Sequence, residues 1–368
     1  MIAAGEVPIL EAAGLSKHFA GRRRLFAAPT TVRAVDGVSL RVRRGETLAL
    51  VGESGSGKST LGRLLLDLMP PTAGDVLYDG RNVAALGRAG RRALRRDLGI
   101  VFQDPFASLN PRMSVADIVG EPIWLHEAVP RAERRARVAD LLRKVGLRPE
   151  HGDRYPHEFS GGQRQRIGIA RALASTPRLL LGDEPVSALD VSVQAQIVNL
   201  LEDLKAELGL TLVVVAHGLG VIRHMSDRVA VMYLGGIVEL APVDALFETP
   251  LHPYSQALLA SVPVPNPRAR APRALLDGDI PSPTRPPPGC RFHTRCPHAR
   301  PLCREAPPPL EAVAGGRSVA CHFWAEVAGA GAGAPAPAPS PALARRLALF
   351  EAKAAAVAAH PAPHEAVP

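Results

Sequence analysis

The chain lacks several features that define whole classes of protein. Its 368 residues contain no run of about 18 consecutive apolar residues, so the sequence predicts no transmembrane helix. Residues 1–6 lack the basic region and the apolar core of a signal peptide, so we expect the chain to stay in the cytosol. No repeat of domain size and no sustained heptad pattern occur, which argues against repeat arrays and long coiled coils.

Aromatic residues are also scarce, at 4% of the chain, and none is interleaved with the arginine clusters at 22–24, 91–92 and 95–96. A surface that binds single-stranded nucleic acid needs stacking side chains among its positive charges. The net charge of +9 therefore favours a solvated face, or one near anionic lipid headgroups, over a nucleic-acid site.

Composition divides the chain into four parts. Residues 1–8 form a short N-terminal tail, and residues 9–245 read as one α/β unit. Residues 246–325 are rich in proline and hold all four cysteines. Residues 326–368 are an Ala/Pro/Gly-rich tail that we expect to be disordered, because it cannot bury enough apolar surface to offset the entropy of ordering.

A glycine-rich loop between a predicted strand and a predicted helix is the strongest functional signal. An apolar run at 47–51 precedes it and a helix-like segment at 61–66 follows it, as the phosphate-binding pattern G-x-x-x-x-G-K-[ST] requires. Its glycines let backbone N–H groups turn inward around a polyphosphate. Lys58 would reach the β- and γ-phosphates, and the Ser59 hydroxyl would bind Mg²⁺. The predicted nucleotide-binding residues are Gly52, Glu53, Ser54, Gly55, Ser56, Gly57, Lys58, Ser59 and Thr60.

A second buried strand ends in two carboxylates. The apolar residues 179–181 suit the interior of a parallel sheet, and Asp183 and Glu184 follow them. Because ligands bind at the carboxyl ends of such strands, we expect Asp183 to hold Mg²⁺ and Glu184 to polarise the attacking water as general base. An isolated Asp-Glu pair often marks only an exposed turn, but the phosphate loop upstream favours hydrolysis of a nucleoside triphosphate.

Residues 159–166 provide a further anion site. Ser160, Gly161, Gly162 and Gln163 stand at the start of a predicted helix, where free backbone N–H groups attract anions. Since the phosphate loop already supplies one cradle, we expect this second surface to bind the nucleotide of another molecule.

In their order along the chain, these motifs resemble the nucleotide-binding subunits of ATP-binding cassette (ABC) transporters. The resemblance implies a P-loop NTPase cassette of the α/β class, with a RecA-like parallel-sheet core, an antiparallel β subdomain and a helical subdomain at about 105–170. It assigns Phe19 to stacking on adenine, Gln103 to Mg²⁺ and the attacking water, and His217 to the γ-phosphate as the switch histidine. The D-loop that it implies consists of Ser187, Ala188, Leu189 and Asp190.

Two of these assignments depend on the resemblance more than the others. Taken alone, Phe19 would be a core residue and His217 an ordinary histidine at a strand end. The residue after the switch histidine is usually Asp in this family, but here it is Gly218. This departure leaves the geometry of the switch loop open.

Within the family, the chain resembles the ATPases of oligopeptide and dipeptide importers over roughly residues 9–325. Segments 102–111, 185–196, 252–259 and 287–297 carry this likeness and favour the second of the two ATPase subunits in such importers. It implies ATP and Mg²⁺, a second ABC ATPase subunit in a heterodimer or homodimer, two membrane permease subunits and, indirectly, an extracytoplasmic solute-binding protein. The expected location is the cytoplasmic face of the inner membrane, as a peripheral protein that binds no nucleic acid.

The cargo is not fixed by the cassette, because the binding protein and the permeases choose it. Peptides are the expected cargo, and nickel, glutathione or another small solute is the alternative within the same architecture. A more distant alternative is a soluble ABC ATPase that acts on nucleic acid or ribosomes. Such proteins usually carry two cassettes or long coiled-coil insertions, and neither pattern occurs in this sequence.

The four cysteines fall within one short stretch of a chain expected to be cytosolic, which points to metal sooner than to disulfides. Their spacing lacks the C-x₂-C pairs of zinc ribbons and the usual ferredoxin runs, so it leaves iron–sulfur, zinc, and free thiols or disulfides open. The resemblance to peptide importers implies a [4Fe–4S] cluster held by all four thiolates. The candidate ligands are Cys290, Cys296, Cys303 and Cys321.

Overall fold

The computed structural model describes residues 7–21, 30–216, 218–261 and 278–331. Within these ranges, no helix is both long and apolar enough to cross a membrane. Most of the tail expected to be disordered, from residue 332 onward, lies outside the described residues. Its first residues are helical instead, and this helix continues to Gly331 because the side chain of Val327 is buried.

The described residues form two sheets. Their strands are β1 (Leu10–Ala20), β2 (Thr31–Val42), β3 (Thr47–Val51), β4 (Ala73–Tyr78), β5 (Arg81–Asn82), β6 (Leu98–Val101), β7 (Leu179–Asp183), β8 (Thr211–Val215), β9 (Arg228–Tyr233), β10 (Gly236–Pro242), β11 (Glu311–Val313) and β12 (Arg317–Val319). The central sheet has the order β11-β12-β10-β9-β3-β8-β7-β6. Its strands β9, β3, β8, β7 and β6 are parallel, whereas β10, β12 and β11 are added antiparallel at one side. The sheet thus has the parallel core expected from the buried strands.

The central strands contribute side chains to two hydrophobic cores, one on each face of the sheet. Successive side chains of a strand point to opposite faces, so in β3 Leu48 and Leu50 join one core while Ala49 and Val51 join the other. β3, β7 and β8 are buried throughout, which explains why their sequences are mostly apolar. The carboxyl ends of these three strands therefore meet at one edge of the sheet.

The second sheet is antiparallel, with the order β2-β1-β4-β5. Its inward side chains, among them Leu10, Val35 and Val76, share a core with the first helix of the chain and with Leu48 and Leu50 of the central sheet. This sheet corresponds to the expected antiparallel β subdomain.

Helices contribute side chains to the cores on both faces of the central sheet. They are α1 (Lys58–Leu65), α2 (Arg88–Asp97), α3 (Val115–His126), α4 (Arg131–Lys144), α5 (Gly161–Leu173), α6 (Val191–Leu208), α7 (Leu219–Met225), α8 (Val243–Glu248), α9 (Pro253–Ala260), α10 (Pro301–Glu305) and α11 (Trp324–Gly331), with short 3₁₀ helices at Val83–Ala85, Pro149–Asp153 and Pro156–Glu158. α3 packs against α4 and α5. These contacts form a helical layer that corresponds to the expected helical subdomain, and its last helix, α5, continues to Leu173.

The proline-rich segment is joined to the central sheet. β12 pairs with β10 through Glu239 and Leu240, and β11 pairs with β12. α11 packs against α9. The segment therefore shares a sheet and side-chain contacts with the α/β unit, and the boundary at 245 stays a prediction based on composition.

Candidate nucleotide-binding and active site

The phosphate loop connects β3 to α1 and can be built only with glycine at two points. Gly52 has φ of +146°, and an added Cβ would lie 2.2 Å from the carbonyl oxygen of Met232. Gly57 has φ of +102°, and its Cβ would lie 2.0 Å from the carbonyl oxygen of Ala34. Any side chain at either position would collide with neighbouring backbone. The glycines of the motif are thus required by close packing as well as by the turn.

Lys58 is held inside this loop by the loop's own oxygens. Its Nζ donates to the carbonyl oxygens of Gly52 at 2.8 Å and Glu53 at 2.9 Å, and to Ser56 Oγ at 3.3 Å. Burial lowers the pKa of Lys58 to about 8, against the opposing effect of Glu184 and other carboxylates nearby. The hydrogen bonds to these three oxygens hold the ammonium group within the loop, where it can bind a polyphosphate.

The two acidic residues at the end of β7 lie at the same edge of the sheet. Asp183 and Glu184 are both buried. Glu184 has φ of +51°, an uncommon backbone conformation for a residue with a side chain, and its N–H donates to the carbonyl oxygen of Val215 at 3.0 Å. Gln103, which follows β6, donates from Nε2 to Glu184 Oε2 at 2.7 Å. The structure thus brings the predicted general base and the predicted Q-loop glutamine into direct contact.

Asp183 has the features expected of a cation ligand. Its Oδ1 is buried and has no hydrogen-bond partner among the described residues, and its Oδ2 lies 3.5 Å from Arg63 Nη2. A buried carboxylate oxygen without a donor is costly unless a cation or water is bound. The Ser59 hydroxyl and the Asp183 carboxylate are oxygen ligands of the kind Mg²⁺ prefers, so the residues present fit this ion.

The signature residues begin α5 on the surface of the molecule. Ser160 caps the helix: its Oγ accepts from the N–H of Gln163 at 3.4 Å, and Gln163 Oε1 accepts from the N–H of Ser160 at 3.0 Å. Ser160 is exposed, and Gly161 and Gly162 are partly exposed. This helix start is accessible to a ligand carried by another molecule.

The predicted D-loop follows Glu184 directly. Ser187 Oγ donates to the carbonyl oxygen of Glu184 at 3.2 Å. Ser187, Ala188 and Asp190 are exposed, and Leu189 is partly exposed. The side chain of Leu189 packs against one hydrophobic core, and the other three residues of the loop are accessible from outside.

Of the predicted adenine and switch residues, the structure describes Phe19 but not His217. Phe19 lies near the end of β1 and is 41% exposed, with Lys17 Nζ 5.4 Å from the centre of its ring. Such exposure fits a stacking platform better than a core residue. His217 lies outside the described residues. Gly218 caps α7 in an extended conformation and offers no side-chain cap, which is the place where an Asp would supply one.

Sequence reasoning missed the contacts that the proline-rich segment makes with the phosphate loop. The hydroxyl of Tyr254 accepts from the N–H of Glu53 at 2.8 Å. Arg295 binds both carboxylate oxygens of Glu53, at 2.8 and 3.1 Å. Tyr254 and Arg295 lie 201 and 242 positions after Glu53 along the chain. No local sequence pattern could therefore identify them as partners of Glu53.

The four cysteines come together around one cavity. All four are free, Cys303 is buried, and Phe292, His293 and His322 also line the space. Burial raises the pKa of the thiols of Cys290 and Cys296 to about 11. Among the described residues, however, no three His, Cys, Asp or Glu side chains are grouped as a metal site. The donor chemistry suits a thiophilic metal, but the arrangement gives the expected [4Fe–4S] cluster no support.

Comparison with known proteins identifies two family regions. The model described as "ABC transporter" matches residues 35–187, and the model described as "Oligopeptide/dipeptide transporter, C-terminal region" matches residues 238–303. The first contains the phosphate loop, the signature residues and both carboxylates of β7. The second contains Tyr254 and Arg295.

Curated relatives extend the similarity over most of the chain. The putative oligopeptide transport ATP-binding protein YkfD of Bacillus subtilis is 53% identical over 322 residues, which are 86% of this chain and 96% of that protein. The oligopeptide transport ATP-binding protein OppF of Escherichia coli is 50% identical over 313 residues, which are 83% of this chain and 94% of that protein.

A solved structure shows the same fold. The dimeric post-hydrolysis state of the ATP-binding cassette MJ0796, bound to ADP and Pi, aligns with a TM-score of 0.57 at 31% identity, over 64% of this chain and 98% of that one. The predicted cassette fold is thereby confirmed. With about half of its residues shared with such relatives over more than four fifths of its length, the chain belongs to the ATP-binding proteins of ABC-type oligopeptide and dipeptide transporters.

Proposed function

We propose that this chain is the ATP-hydrolysing subunit that powers the import of di- and oligopeptides through an ABC permease. The observation that carries the proposal is the meeting of Lys58, Asp183, Glu184 and Gln103 at one edge of the parallel sheet. The names of the relatives and the matched C-terminal region support peptides as the cargo.

Each residue of the site has a task in the proposed hydrolysis. Lys58 and the loop amides would bind the β- and γ-phosphates, and Ser59, Gln103 and Asp183 would hold Mg²⁺. When bound, Mg²⁺ neutralises phosphate charge in the transition state. Glu184 accepts a proton from the attacking water, and the amide of Gln103 orients the Glu184 carboxylate through their 2.7 Å hydrogen bond.

A second subunit completes the proposed site. The exposed start of α5, with Ser160 and Gly161, would bind the γ-phosphate of an ATP held in the phosphate loop of the partner ATPase. The dimeric state of the solved cassette supports this arrangement. Because two nucleotides would be buried only in the closed pair, ATP binding would favour closure and phosphate release would favour opening.

The helical layer offers a surface for the proposed permeases. Phe106 is 61% exposed and Trp124 is 63% exposed, and exposed aromatic side chains suit a protein–protein interface. Phe106 lies in the loop that follows Gln103, and Trp124 lies in α3. A subunit bound to the permeases through this surface would lie on the cytoplasmic face of the inner membrane. An extracytoplasmic binding protein would supply the solute.

Purification from native membranes tests this proposal. The tagged chain is extracted in mild detergent and the co-purifying proteins are identified. We expect a second ABC ATPase and two permeases, with a solute-binding protein that selects peptides. Nickel or glutathione bound to that protein would support the alternative cargo. Recovery of the chain alone or with nucleic acid would contradict the transporter role.

The [4Fe–4S] cluster stays a separate prediction, with zinc as the alternative. The four thiols line one cavity, but no three metal-ligating side chains among the described residues are grouped as a metal site, so the arrangement does not support the cluster. No step of ATP hydrolysis depends on it. Absorbance near about 400 nm after anaerobic purification would support the cluster. Stoichiometric zinc without colour, or four titratable thiols without metal, would exclude it.

A further inference from the structure

The short loop from Cys290 to Cys296 is here called the cysteine loop. Two of its side chains, Arg291 and Arg295, extend toward the proposed nucleotide site. Arg295 binds Glu53 of the phosphate loop, and Arg291 binds Asp36 of the antiparallel sheet. Neither arginine lines the cavity of the cysteines. Both instead connect this loop to the parts of the molecule that would hold ATP.

The pair between Arg295 and Glu53 has the geometry of a strong, directional contact. Nη1 lies 2.8 Å from Oε2 and Nη2 lies 3.1 Å from Oε1, so two parallel hydrogen bonds fix the plane of the carboxylate. The Arg295 side chain is only 6% exposed, and its guanidinium lies 6.0 Å from the centre of the Tyr233 ring. Water therefore has little access to the Arg295 side of this pair, whereas the Glu53 side chain is 24% exposed.

Glu53 is also held through its backbone. Its N–H donates to the Tyr254 hydroxyl at 2.8 Å, and its carbonyl oxygen accepts from Lys58 Nζ at 2.9 Å. Tyr254 is rigid because its ring packs 4.7 Å from that of Tyr233 and 5.4 Å from that of Phe292, which belongs to the cysteine loop. The position of Glu53, and of the lysine bonded to it, is therefore set by the C-terminal segment.

Arg291 makes the second connection. Its Nη2 lies 2.7 Å from Asp36 Oδ2, and Asp36 Oδ1 lies 3.1 Å from Nε2 of His18. His18 directly precedes Phe19, the predicted adenine platform. The cysteine loop is thus tied to the adenine side as well as to the phosphate side of the proposed site.

From these contacts we infer that Arg295 and Arg291 are positioning residues for nucleotide binding. Through Glu53 and Asp36 they fix the phosphate loop and the adenine strand relative to each other, so the affinity for ATP depends on the cysteine loop. The inference rests on the proposed ATP site. It adds to that proposal a role for the C-terminal segment inside the cassette's own nucleotide site.

A double-mutant cycle on the full chain tests this inference. The Kd of Mg-ATP is measured by calorimetry for Arg295→Met, Glu53→Gln and the double variant, each with its melting temperature. We expect each single change to weaken ATP binding about tenfold, and the double variant to bind no more weakly than either single one, because the two residues act as one unit. Arg300→Met is the matched control, since Arg300 lies in the same segment and pairs only with the exposed Glu326 among the described carboxylates.

Arg295→Lys separates positioning from charge and serves if the methionine variant fails to fold. Lysine keeps the charge but cannot form the two parallel hydrogen bonds, so we expect a Kd of Mg-ATP between those of wild type and Arg295→Met. An unchanged Kd with a lowered melting temperature, or additive effects in the cycle, would overturn the inference. Failure of the wild-type chain to bind Mg-ATP would instead overturn the proposed function.

Discussion

Glu239 is a fully buried carboxylate that joins the central sheet to the C-terminal segment. It lies in β10 and accepts three hydrogen bonds, from the N–H of Leu251 at 3.0 Å, the N–H of His252 at 2.9 Å and Arg317 Nη2 at 3.0 Å. Replacing it with glutamine keeps the shape of the side chain. The amide NH₂ must then face a donor, whichever way it is turned.

The expected loss follows from these contacts. With the amide oxygen turned toward Leu251 and Arg317, the buried N–H of His252 loses its acceptor, which costs about 1–3 kcal/mol. Arg317, whose side chain is 10% exposed, also loses its counter-charge. Breaking a buried ion pair by removing one charge costs about 3–5 kcal/mol in total, and this range is our prediction for Glu239→Gln.

Urea unfolding measures this loss with a local reporter. The chain has two tryptophans, and Trp124 is exposed in α3, so Trp124→Phe leaves Trp324 at the start of α11 as the fluorescent reporter. Glu326→Gln is the control, because its pair with Arg300 is exposed and we expect no measurable change. If Glu239→Gln shifts the Trp324 transition no more than this control does, the buried carboxylate does not stabilise the segment and the reasoning is wrong.

Three further predictions concern the active site and the buried rings. Glu184→Gln should abolish steady-state phosphate release by the assembled transporter while ATP still binds, and undiminished release would remove Glu184 as the general base. Burial lowers the pKa of His252 to about 3, so between pH 6.5 and pH 3 the unfolded state binds more protons than the folded one. Stability should therefore fall by about 2 kcal/mol from pH 7 to pH 5 in urea unfolding, and His252→Gln should flatten that slope. Phe292→Ala should cost about 3–5 kcal/mol, because the ring is 1% exposed between Tyr233 and Tyr254; a loss under about 1 kcal/mol would contradict that packing.

The parts of the site that the sequence could predict are those with short-range patterns. The run at Thr47–Val51 is a buried strand, Lys58 begins the next helix, and Asp183 ends a second buried strand, all as the apolar runs and glycines indicate. Ser160 stands at the start of a helix, as the sequence predicts. In each case, local backbone chemistry determines the result.

The unpredicted parts depend on contacts between distant segments. Arg295 and Glu53 are 242 positions apart, and nothing in either neighbourhood marks them as partners. β11 and β12 have three residues each, too few for the alternation that identifies a strand, and they form because β10 offers a free edge. α11 enters the low-complexity tail because Val327 finds a buried position that composition cannot reveal. Tertiary packing decides all three.

The hairpin of β11 and β12 also has a consequence for how the chain can be shortened. It covers the outer side of β10, whose N–H and C=O groups at Glu239 and Leu240 would otherwise face solvent. An uncovered strand edge is a template for pairing with other chains. A chain cut after residue 303, where the matched C-terminal region ends, would expose that edge and should form concentration-dependent oligomers in gel filtration. By pairing with β10, the strands β11 and β12 therefore prevent aggregation through that edge. A chain that ends after Val319 retains both strands and should stay monomeric in the same measurement.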